Sequence, residues 1–251
     1  MPNAWDAGSG RLLAGQGFRA LATTSSGFAG TLGRRDGAVS RGEALAHGAA
    51  LAAAVDVPVS ADLENGFADR PDAVADIVTE AAGLGLAGCS IEDYSGTELY
   101  STAAAVERVA AAAEAAATAR AAGRDFVLTA RAENHIRGNP DLSDTIARLQ
   151  AYVEAGADVL FAPGLRSLGD IRTVLAEIDR PFSVLLLAGV PSVPELADAG
   201  VSRISVGGGF YKVAMAALLH AGAELLRTGT SDWLVTGARA DEALAAAFDP
   251  D

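Results

Sequence analysis

A short sequence pattern recurs along the chain and constrains its fold more than any other feature. Each copy has a glycine that can end a helix, a short spacer, and then four or five apolar or small residues. Copies begin at Gly15, Gly83, Glu154 and Asp198. Glycine suits the left-handed position that follows a helix, and a short apolar run is typical of a strand buried on both faces. The pattern therefore predicts four strands, each preceded by a helix.

A second pattern alternates with the first. Each copy has a charged turn followed by an apolar run that predicts a strand. The copies cover residues 55–65, 123–134 and 178–189. The segment PNAWD, near the start of the chain, is a candidate for an eighth strand. Amphipathic segments between the strands predict helices at about 9–16, 40–54, 71–84, 102–122, 141–155, 167–178, 191–199 and 210–228. Strand and helix thus alternate along the chain.

This alternation predicts the fold. Strands that alternate with helices form parallel sheets, because a helical crossover returns the chain to the same edge. Eight such units close into a (β/α)8 TIM barrel, and the 251 residues of this chain suit that fold. An open doubly wound sheet is the alternative, but no GxGxxG follows the first strand. We expect one α/β barrel domain over residues 1–251, with a C-terminal helical segment at about 210–247.

Charge and composition exclude several classes of partner. The formal net charge of −13 argues against nucleic acid and anionic membranes, because both attract clustered Lys and Arg. No run of about 18 apolar residues is present, and the first residues lack the pattern of a signal peptide. Cys89 is the single cysteine, so no internal disulfide can form. We expect a cytoplasmic protein that binds neither membranes nor nucleic acid.

Acidic residues gather where the predicted strands end. In a barrel these ends meet at one mouth, where the site lies. The acidic residues expected there are Asp6, Asp36, Asp62, Glu64, Glu92, Asp93 and Glu133. Asp62 and Glu64 lie one strand period apart and are expected on the same side. Confined carboxylates cannot all stay ionised, and oxygen ligands without His or Cys suit a hard cation. The cluster therefore predicts Mg²⁺ or Mn²⁺.

Two further groups near this mouth favour an anionic substrate. Arg131 follows the fifth strand, and its planar fork matches a carboxylate. The backbone N–H groups of Ser26, Gly27 and Phe28, after the second strand, are candidates for holding a second anionic group.

Simpler interpretations stay open for single residues. An acidic residue at a strand end often caps the next helix, and Asp93 and Glu133 are candidates for structural partners. Gly207–Gly209, between the last strand and its helix, can cradle a phosphate or form a flexible turn. A phosphate there would indicate an unrelated aldolase or isomerase barrel that acts on sugar phosphates.

These residues together resemble the isocitrate lyase/phosphoenolpyruvate mutase superfamily, most strongly its smaller bacterial branch of PEP mutase family proteins. The resemblance covers nearly the whole chain, through PNAWDAGSGRLL, TTSSGFAGTLGRRDG, PVSADLENGF, GCSIEDYSG, FVLTARAEN, GADVLFAPG and RISVGGG. It implies a lyase or mutase-like enzyme that makes or breaks a C–C or C–P bond of a small 2-oxo or 2-hydroxy carboxylate. An enolate-like intermediate would be stabilised by Mg²⁺.

The resemblance also implies roles for individual residues. Asp62 would be the main metal ligand, and Glu64, Glu92 and Asp36 would act mainly through waters. Arg131 matches the family arginine that binds a substrate carboxylate. Arg131 and Asp36 are accordingly the candidate catalytic residues. The segment Ser26-Gly27-Phe28 matches the family's backbone-amide pocket for substrate.

One departure from the family lies in the loop after the fourth strand. The family's lyases carry KKCGH there, whose Cys handles a proton, and its mutases and hydrolases keep a Lys and an Asn. Here residues 94–102 are YSGTELYST. No general acid or base is therefore assigned, and Tyr94 and Tyr100 are the candidates. A barrel that binds a 2-oxo acid without consuming it is the alternative function.

A second departure lies at the start of the chain. Family members usually have an extra helix and a fuller first strand before PNAWD, so a short first strand and a less covered barrel floor are expected here. The family often exchanges a C-terminal helix between subunits, which implies a homo-oligomer, either a dimer or a tetramer. The segments Tyr211–Arg227 and Ser231–Ala247 are the candidates for this exchange.

Overall fold

Eight parallel strands form one sheet in which each strand pairs with the next in the chain. The computed structural model describes residues 1–248. The strands are β1 (Asn3–Ala4), β2 (Leu21–Thr23), β3 (Val59–Asp62), β4 (Gly88–Glu92), β5 (Val127–Arg131), β6 (Val159–Phe161), β7 (Phe182–Leu185) and β8 (Arg203–Ser205). The strand count and the parallel order match the sequence patterns, and β1 is short, as expected.

A side chain brings the two ends of the sheet together. Asn3 Oδ1 accepts hydrogen bonds from the N–H groups of Val206 and Gly207, both at 2.9 Å, and so links β1 to the end of β8. The sheet is thereby a nearly closed barrel. The predicted (β/α)8 TIM barrel is confirmed, and the alternative of an open doubly wound sheet is wrong.

The helices lie outside the barrel, and the predicted ones begin and end within about two residues of the expected positions. They are α1 (Ala7–Gly15), α2 (Ser25–Thr31), α3 (Arg41–Ala54), α4 (Pro71–Gly83), α5 (Thr102–Ala121), α6 (Leu142–Glu154), α7 (Leu168–Glu177), α8 (Val193–Asp198), α9 (Gly209–Thr228), α10 (Trp233–Gly237) and α11 (Asp241–Phe248). The sequence patterns do not predict α2, because SSGFAGT is short and rich in weak helix formers. Its start is fixed by Thr24, whose Oγ1 accepts a hydrogen bond from the N–H of Gly27 at 3.3 Å.

Four glycines explain the recurring sequence pattern. Gly17, Gly85, Gly156 and Gly200 have φ of 93°, 85°, 98° and 99°. Each lies two residues beyond the last residue of α1, α4, α6 or α8, at the position where a left-handed residue ends a helix. Glycine adopts this conformation without the steric cost of a Cβ atom. Each helix therefore ends at a defined point, and the chain turns into the next strand.

The strands bury apolar side chains against the helices and keep a polar interior. Leu21, Leu128 and Leu160 are fully buried in the hydrophobic core. Ser60 and Ser90, on β3 and β4, line a cavity inside the barrel instead. A layered apolar filling is the common solution in such barrels. Here the polar residues leave room for a site that reaches below the mouth.

The C-terminal segment leaves apolar residues exposed. On α9, Leu218, Leu219 and Leu226 are 64%, 73% and 91% exposed. The ring of Phe248, at the end of α11, lies beside Gly8 of α1 in the same chain. The exchange of a C-terminal helix therefore stays a prediction. No helix among residues 1–248 combines the length and the apolar character needed to span a membrane.

Candidate active site

Two cavities adjoin at the mouth where the strands end. The large cavity, of about 450 Å³, runs from Ser26 and Asp62 at the mouth down to Arg203. The small cavity, of about 330 Å³, lies beside Glu64 and Glu92. The residues that line both cavities are Ser25, Asp36 and Arg131. Both volumes lie within the range of small-molecule sites.

Arg131 lies at the centre of the acidic cluster. Its Nη1 is 3.1 Å from Asp62 Oδ1, and its Nη2 is 3.1 Å from Glu92 Oε2 and 2.7 Å from Glu133 Oε1. Burial opposes the charge of Arg131, but the carboxylates of Glu133, Glu92 and Asp62 outweigh it and raise the pKa of the guanidinium. The arginine thus holds three strand ends together.

Asp62 is fixed by groups from neighbouring strands. Its N–H donates to Thr23 Oγ1 at 2.8 Å, which ties the end of β3 to β2. Its Oδ2 accepts from the N–H of Ser25 at 3.3 Å, and its Oδ1 accepts from the N–H of Glu64 at 3.4 Å. Oδ1 also accepts from Ser90 Oγ at 3.5 Å and from Arg131 Nη1 at 3.1 Å, so it is fully engaged. Oδ2 has Ser25 as its single donor among the described residues and keeps a lone pair for a further ligand.

Glu64 does not lie where strand periodicity places it. β3 ends at Asp62, and Glu64 follows in the left-handed region with φ of 49°. The prediction that Asp62 and Glu64 share one strand face is therefore wrong, because side chains alternate between the two faces only as far as the strand extends. Glu64 still lines the small cavity, and its carboxylate has no hydrogen-bond partner among the described residues.

The pKa values of Glu64 and Glu92 are both raised. Burial, followed by the charges of Asp62 and Asp36, raises the pKa of Glu64 to about 7. Burial also raises the pKa of Glu92, which is 8% exposed, and the guanidinium of Arg131 only partly offsets this. Both shifts mean that burial and the neighbouring carboxylates disfavour the ionised forms of Glu64 and Glu92 more than the nearby guanidinium groups favour them.

Arg137 belongs to the site although sequence analysis did not identify it. Its Nη2 is 3.3 Å from Glu92 Oε1 and 3.0 Å from Glu133 Oε2, and its guanidinium lies 3.9 Å from the ring centroid of Tyr94. The one available signal is its spacing of four residues after Glu133, which places a pair on one face of a helical turn.

The donor set fits a hard, hydrated divalent cation. The carboxylates of Asp62, Glu92 and Glu133 pair with the guanidinium groups of Arg131 or Arg137. Asp36 and Glu64 line the small cavity and form no ion pair among residues 1–248. Within residues 1–248, no three Asp, Glu, His or Cys side chains are arranged to coordinate one ion directly. The oxygen donors present are of the type that Mg²⁺ takes, usually one or two carboxylates with several waters.

The predicted anion pocket is brought only partly to the cavity. Ser26 lines the large cavity. The N–H groups of Gly27 and Phe28 donate to Thr24 Oγ1 and to the Thr24 carbonyl, so they are engaged in the first turn of α2. The ring of Phe28 stacks on His47 with centroids 3.9 Å apart, away from the large cavity. The role of these three residues stays a prediction.

The loop after β4 places its two tyrosines differently. Tyr94 lines the small cavity. The hydroxyl of Tyr100 donates to Asp69 Oδ1 at 2.5 Å and accepts from the side chain of Asn65 at 3.1 Å, so it is engaged outside both cavities. Of these two candidates for proton transfer, the structure brings only Tyr94 to the acidic cluster.

Asp93 is a structural partner. Its Oδ1 accepts from the N–H of Glu133 at 2.8 Å, and its Oδ2 accepts from Arg148 Nη1 at 2.9 Å and from the hydroxyl of Tyr152 at 2.6 Å. These bonds tie the end of β4 to β5 and α6. They hold Glu133, and through it Arg131, in position.

The chain is similar to several known proteins in sequence and in fold. Residues 1–226 match the family model described as phosphoenolpyruvate phosphomutase. A protein of Mycobacterium tuberculosis with no assigned activity is 34% identical over 223 residues, which cover 88% of this chain and 82% of that protein. A crystal structure of a Burkholderia cenocepacia protein assigned as a lyase/mutase superposes with a TM-score of 0.95 at 46% identity, covering 100% of this chain and 91% of that one. The crystal structure of 2,3-dimethylmalate lyase has a TM-score of 0.81 at 28% identity and covers 92% of this chain and 83% of that one.

Proposed function

Because the chain belongs to the isocitrate lyase/phosphoenolpyruvate mutase superfamily, we propose that it is an Mg²⁺-dependent lyase or mutase-like enzyme. It makes or breaks a C–C or C–P bond of a small 2-oxo or 2-hydroxy carboxylate, and the reaction passes through a metal-stabilised enolate. The 2,3-dimethylmalate lyase among its relatives supports a lyase acting on a short dicarboxylate. Mn²⁺ is the alternative cation.

One observation carries this proposal. Arg131, Asp62 and Glu92 form one cluster of ion pairs at the wall between two cavities, and the carboxylates outnumber the guanidinium groups. A purely structural cluster in a protein interior tends to balance its charges, because an unpaired buried charge is costly. A divalent cation would offset the surplus of carboxylates and would allow an anionic substrate to bind beside them.

The cation would be held by Asp62 directly and by Glu64, Glu92 and Asp36 mainly through waters. Glu64 supports this role because its half-buried carboxylate has no hydrogen-bond partner among the described residues and its pKa is raised to about 7. When bound, a hard divalent cation supplies positive charge where an enolate oxygen develops next to the 2-oxo group.

Arg131 would bind and orient the substrate carboxylate. In the structure its guanidinium pairs with Asp62, Glu92 and Glu133. A cation bound near Asp62 and Glu92 would weaken the attraction of these carboxylates for Arg131. Part of the Arg131 guanidinium would then become available to a substrate carboxylate in the large cavity. Metal and substrate would therefore bind cooperatively.

Tyr94 is the residue best placed to move a proton. It lines the small cavity together with Glu64 and Glu92, and the guanidinium of Arg137 lies over its ring at 3.9 Å. Tyr94 would take the place of the Cys in the family's KKCGH loop.

The enzyme would act as a homo-oligomer in the cytoplasm. The leucines exposed on α9 form an apolar surface of the kind that subunit interfaces cover. A second copy of the chain is the partner that the family resemblance implies, with a dimer or tetramer as the result.

A turnover assay tests the proposal. Purified protein with Mg²⁺ is incubated with a panel of 2-hydroxy and 2-oxo dicarboxylates and with phosphonopyruvate, and 2-oxo acid products are followed over hours. We expect product from at least one compound with the wild type, little with Asp62→Asn, and normal turnover with the exposed Asp179→Asn as matched control. Unchanged turnover and unchanged metal binding in Asp62→Asn would overturn the proposal. Ligand that binds with the metal yet stays unconsumed would indicate the non-catalytic binding protein instead.

A further inference from the structure

Arg203 is a second arginine of the large cavity, and its surroundings differ from those of Arg131. Arg203 begins β8 and points into the barrel, where its Nε donates to Ser183 Oγ at 3.1 Å and its Nη1 donates to Thr129 Oγ1 at 2.9 Å. Both hydroxyls belong to fully buried residues. Arg203 lines the large cavity and also the groove at the amino ends of the strands, so its guanidinium forms the floor between them.

The charge of Arg203 has no counter-ion. Among the described residues no carboxylate lies within 4.0 Å of its guanidinium, whereas Arg131 meets three. No hydrogen-bond partner of Nη2 is found among the same residues. Burial and the positive charge of Arg131 lower the pKa of Arg203 to about 10. A half-buried guanidinium held by two neutral hydroxyls leaves its charge without a counter-ion, and an anion in the large cavity would supply one.

The two arginines are placed to bind two ends of one small molecule. Thr129, which contacts Arg203, lies two residues before Arg131 on the same strand, and residues two apart point to the same side. The Thr129 hydroxyl that Arg203 contacts and the Arg131 side chain therefore belong to adjacent layers of the barrel, whose backbone positions are roughly 7 Å apart along the strand. This separation suits a short dicarboxylate rather than a long one.

We propose that Arg203 binds the second carboxylate of a short 2-hydroxy or 2-oxo dicarboxylate whose first carboxylate is bound by Arg131; this inference rests on the function proposed above. Arg203 would thus determine specificity. It selects dicarboxylates over monocarboxylates of the same shape, because a ligand with a methyl group in that position leaves the guanidinium without a partner. A fork that meets a carboxylate with two N–H groups is the usual basis of such recognition.

A matched set of ligands tests the proposal. Malate carries both carboxylates, 2-hydroxybutyrate has a methyl group in place of the second, and oxalate occupies only the enolate site. Dissociation constants are measured calorimetrically with Mg²⁺ present for the wild type, Arg203→Met, Arg203→Lys and the exposed control Arg172→Met. Because a hydrogen bond to a charged group contributes about 1.5–3 kcal/mol, we expect Arg203→Met to weaken malate binding about tenfold to a hundredfold. Binding of oxalate and 2-hydroxybutyrate should change by less than about twofold, and Arg203→Lys should lie between.

The outcomes separate this inference from the function on which it rests. Wild-type protein that binds oxalate with Mg²⁺ while Arg203→Met binds malate normally would overturn the inference alone. Equal weakening of all three ligands would also overturn it, because it would indicate a structural role. Failure of the wild type to bind oxalate would overturn both proposals. If Arg203→Met does not fold, a crystal structure of the wild type with malate and Mg²⁺ decides: a carboxylate oxygen about 3 Å from the Arg203 guanidinium supports the assignment, and an empty floor overturns it.

Discussion

The backbone carbonyl of Glu64 accepts a hydrogen bond from the N–H of Glu92 at 2.9 Å, although Glu64 lies beyond the end of β3. This bond extends the pairing of β3 with β4 past the last strand residue and brings the two glutamates together at the mouth. The bond requires Glu64 to adopt φ of 49°, a left-handed conformation that costs a residue other than glycine of order 1 kcal/mol in conformational free energy. Strain of this kind persists where the surrounding structure holds it, and the site is such a place.

Replacement of Glu64 by glutamine should stabilise the metal-free protein at high pH. The pKa of Glu64 is raised to about 7 in the fold, against about 4.5 in the unfolded chain, so its ionisation opposes folding as the pH rises through this window. After allowance for its partial exposure, we expect Glu64→Gln to exceed the wild type by about 1 kcal/mol at pH 8 and to equal it near pH 4.5. Urea unfolding with EDTA measures this. A less stable variant at pH 8, with the exposed Glu177→Gln unchanged, would contradict the charge surplus.

Mg²⁺ should bind more tightly as the pH rises from 6 to 8. Burial and the neighbouring carboxylates raise the pKa of Glu64 to about 7, and burial raises the pKa of Glu92. Since a cation needs the ionised forms, its binding releases protons, and each released proton adds up to about tenfold in affinity per pH unit. Calorimetry in two buffers with different ionisation enthalpies counts these protons. Glu64→Gln is the matched control, and it should flatten the profile; a flat profile in the wild type would show that these carboxylates are not involved.

Loss of Arg131 should destabilise the protein strongly. Arg131→Met leaves Glu92 and Glu133, which are 8% and 1% exposed, without their main counter-ion. Removing one partner of a buried ion pair costs about 3–5 kcal/mol. The cost should fall toward pH 5, because unpaired buried carboxylates take up protons readily. Denaturant unfolding at pH 5 and pH 8 measures both effects, and Arg172→Met controls for loss of an exposed arginine. Equal stability of Arg131→Met and wild type at pH 8 would mean that the ion pairs contribute nothing.

A charge placed on α9 should break the oligomer. Leu226 is 91% exposed and Leu219 is 73% exposed, so neither supports the fold of its own chain. Leu219→Glu/Leu226→Glu should shift the protein from a dimer or tetramer to a monomer, with its circular dichroism unchanged. Light scattering after size exclusion measures the mass. Leu84→Glu, an exposed leucine at the end of α4, is the control that should leave the assembly intact. A wild type that is itself monomeric would rule out the interface.

The barrel could be predicted because its signals are local. A left-handed glycine after a helix and an apolar run after that glycine depend only on neighbouring residues, and Gly17, Gly85, Gly156 and Gly200 all behave as expected. The sequence patterns did not predict α2, because SSGFAGT lacks strong helix formers and the start of this helix depends on the side chain of Thr24.

The site could be predicted in composition but not in geometry. Strand ends meet at one mouth in any barrel, so the cluster of acids with Arg131 followed from the topology. The left-handed conformation of Glu64 did not follow, because periodicity says nothing about where β3 ends. Arg137 and Arg203 were missed for a related reason. One reaches the cluster from a loop, and the other spans the barrel interior from β8 to β5, and both contacts depend on tertiary structure.

The most direct test of the account is the thermal stability of wild type and Asp62→Asn with Mg²⁺ and oxalate, a mimic of the pyruvate enolate. A ligand at 100 times its Kd stabilises the native state by about 2.7 kcal/mol, which gives a clear rise in Tm. We expect the wild type to be stabilised by Mg²⁺ and oxalate together more than by either alone, and Asp62→Asn to lose this response. A wild type that does not respond, or an Asp62→Asn variant that responds equally, would contradict a metal-dependent enolate site at Asp62.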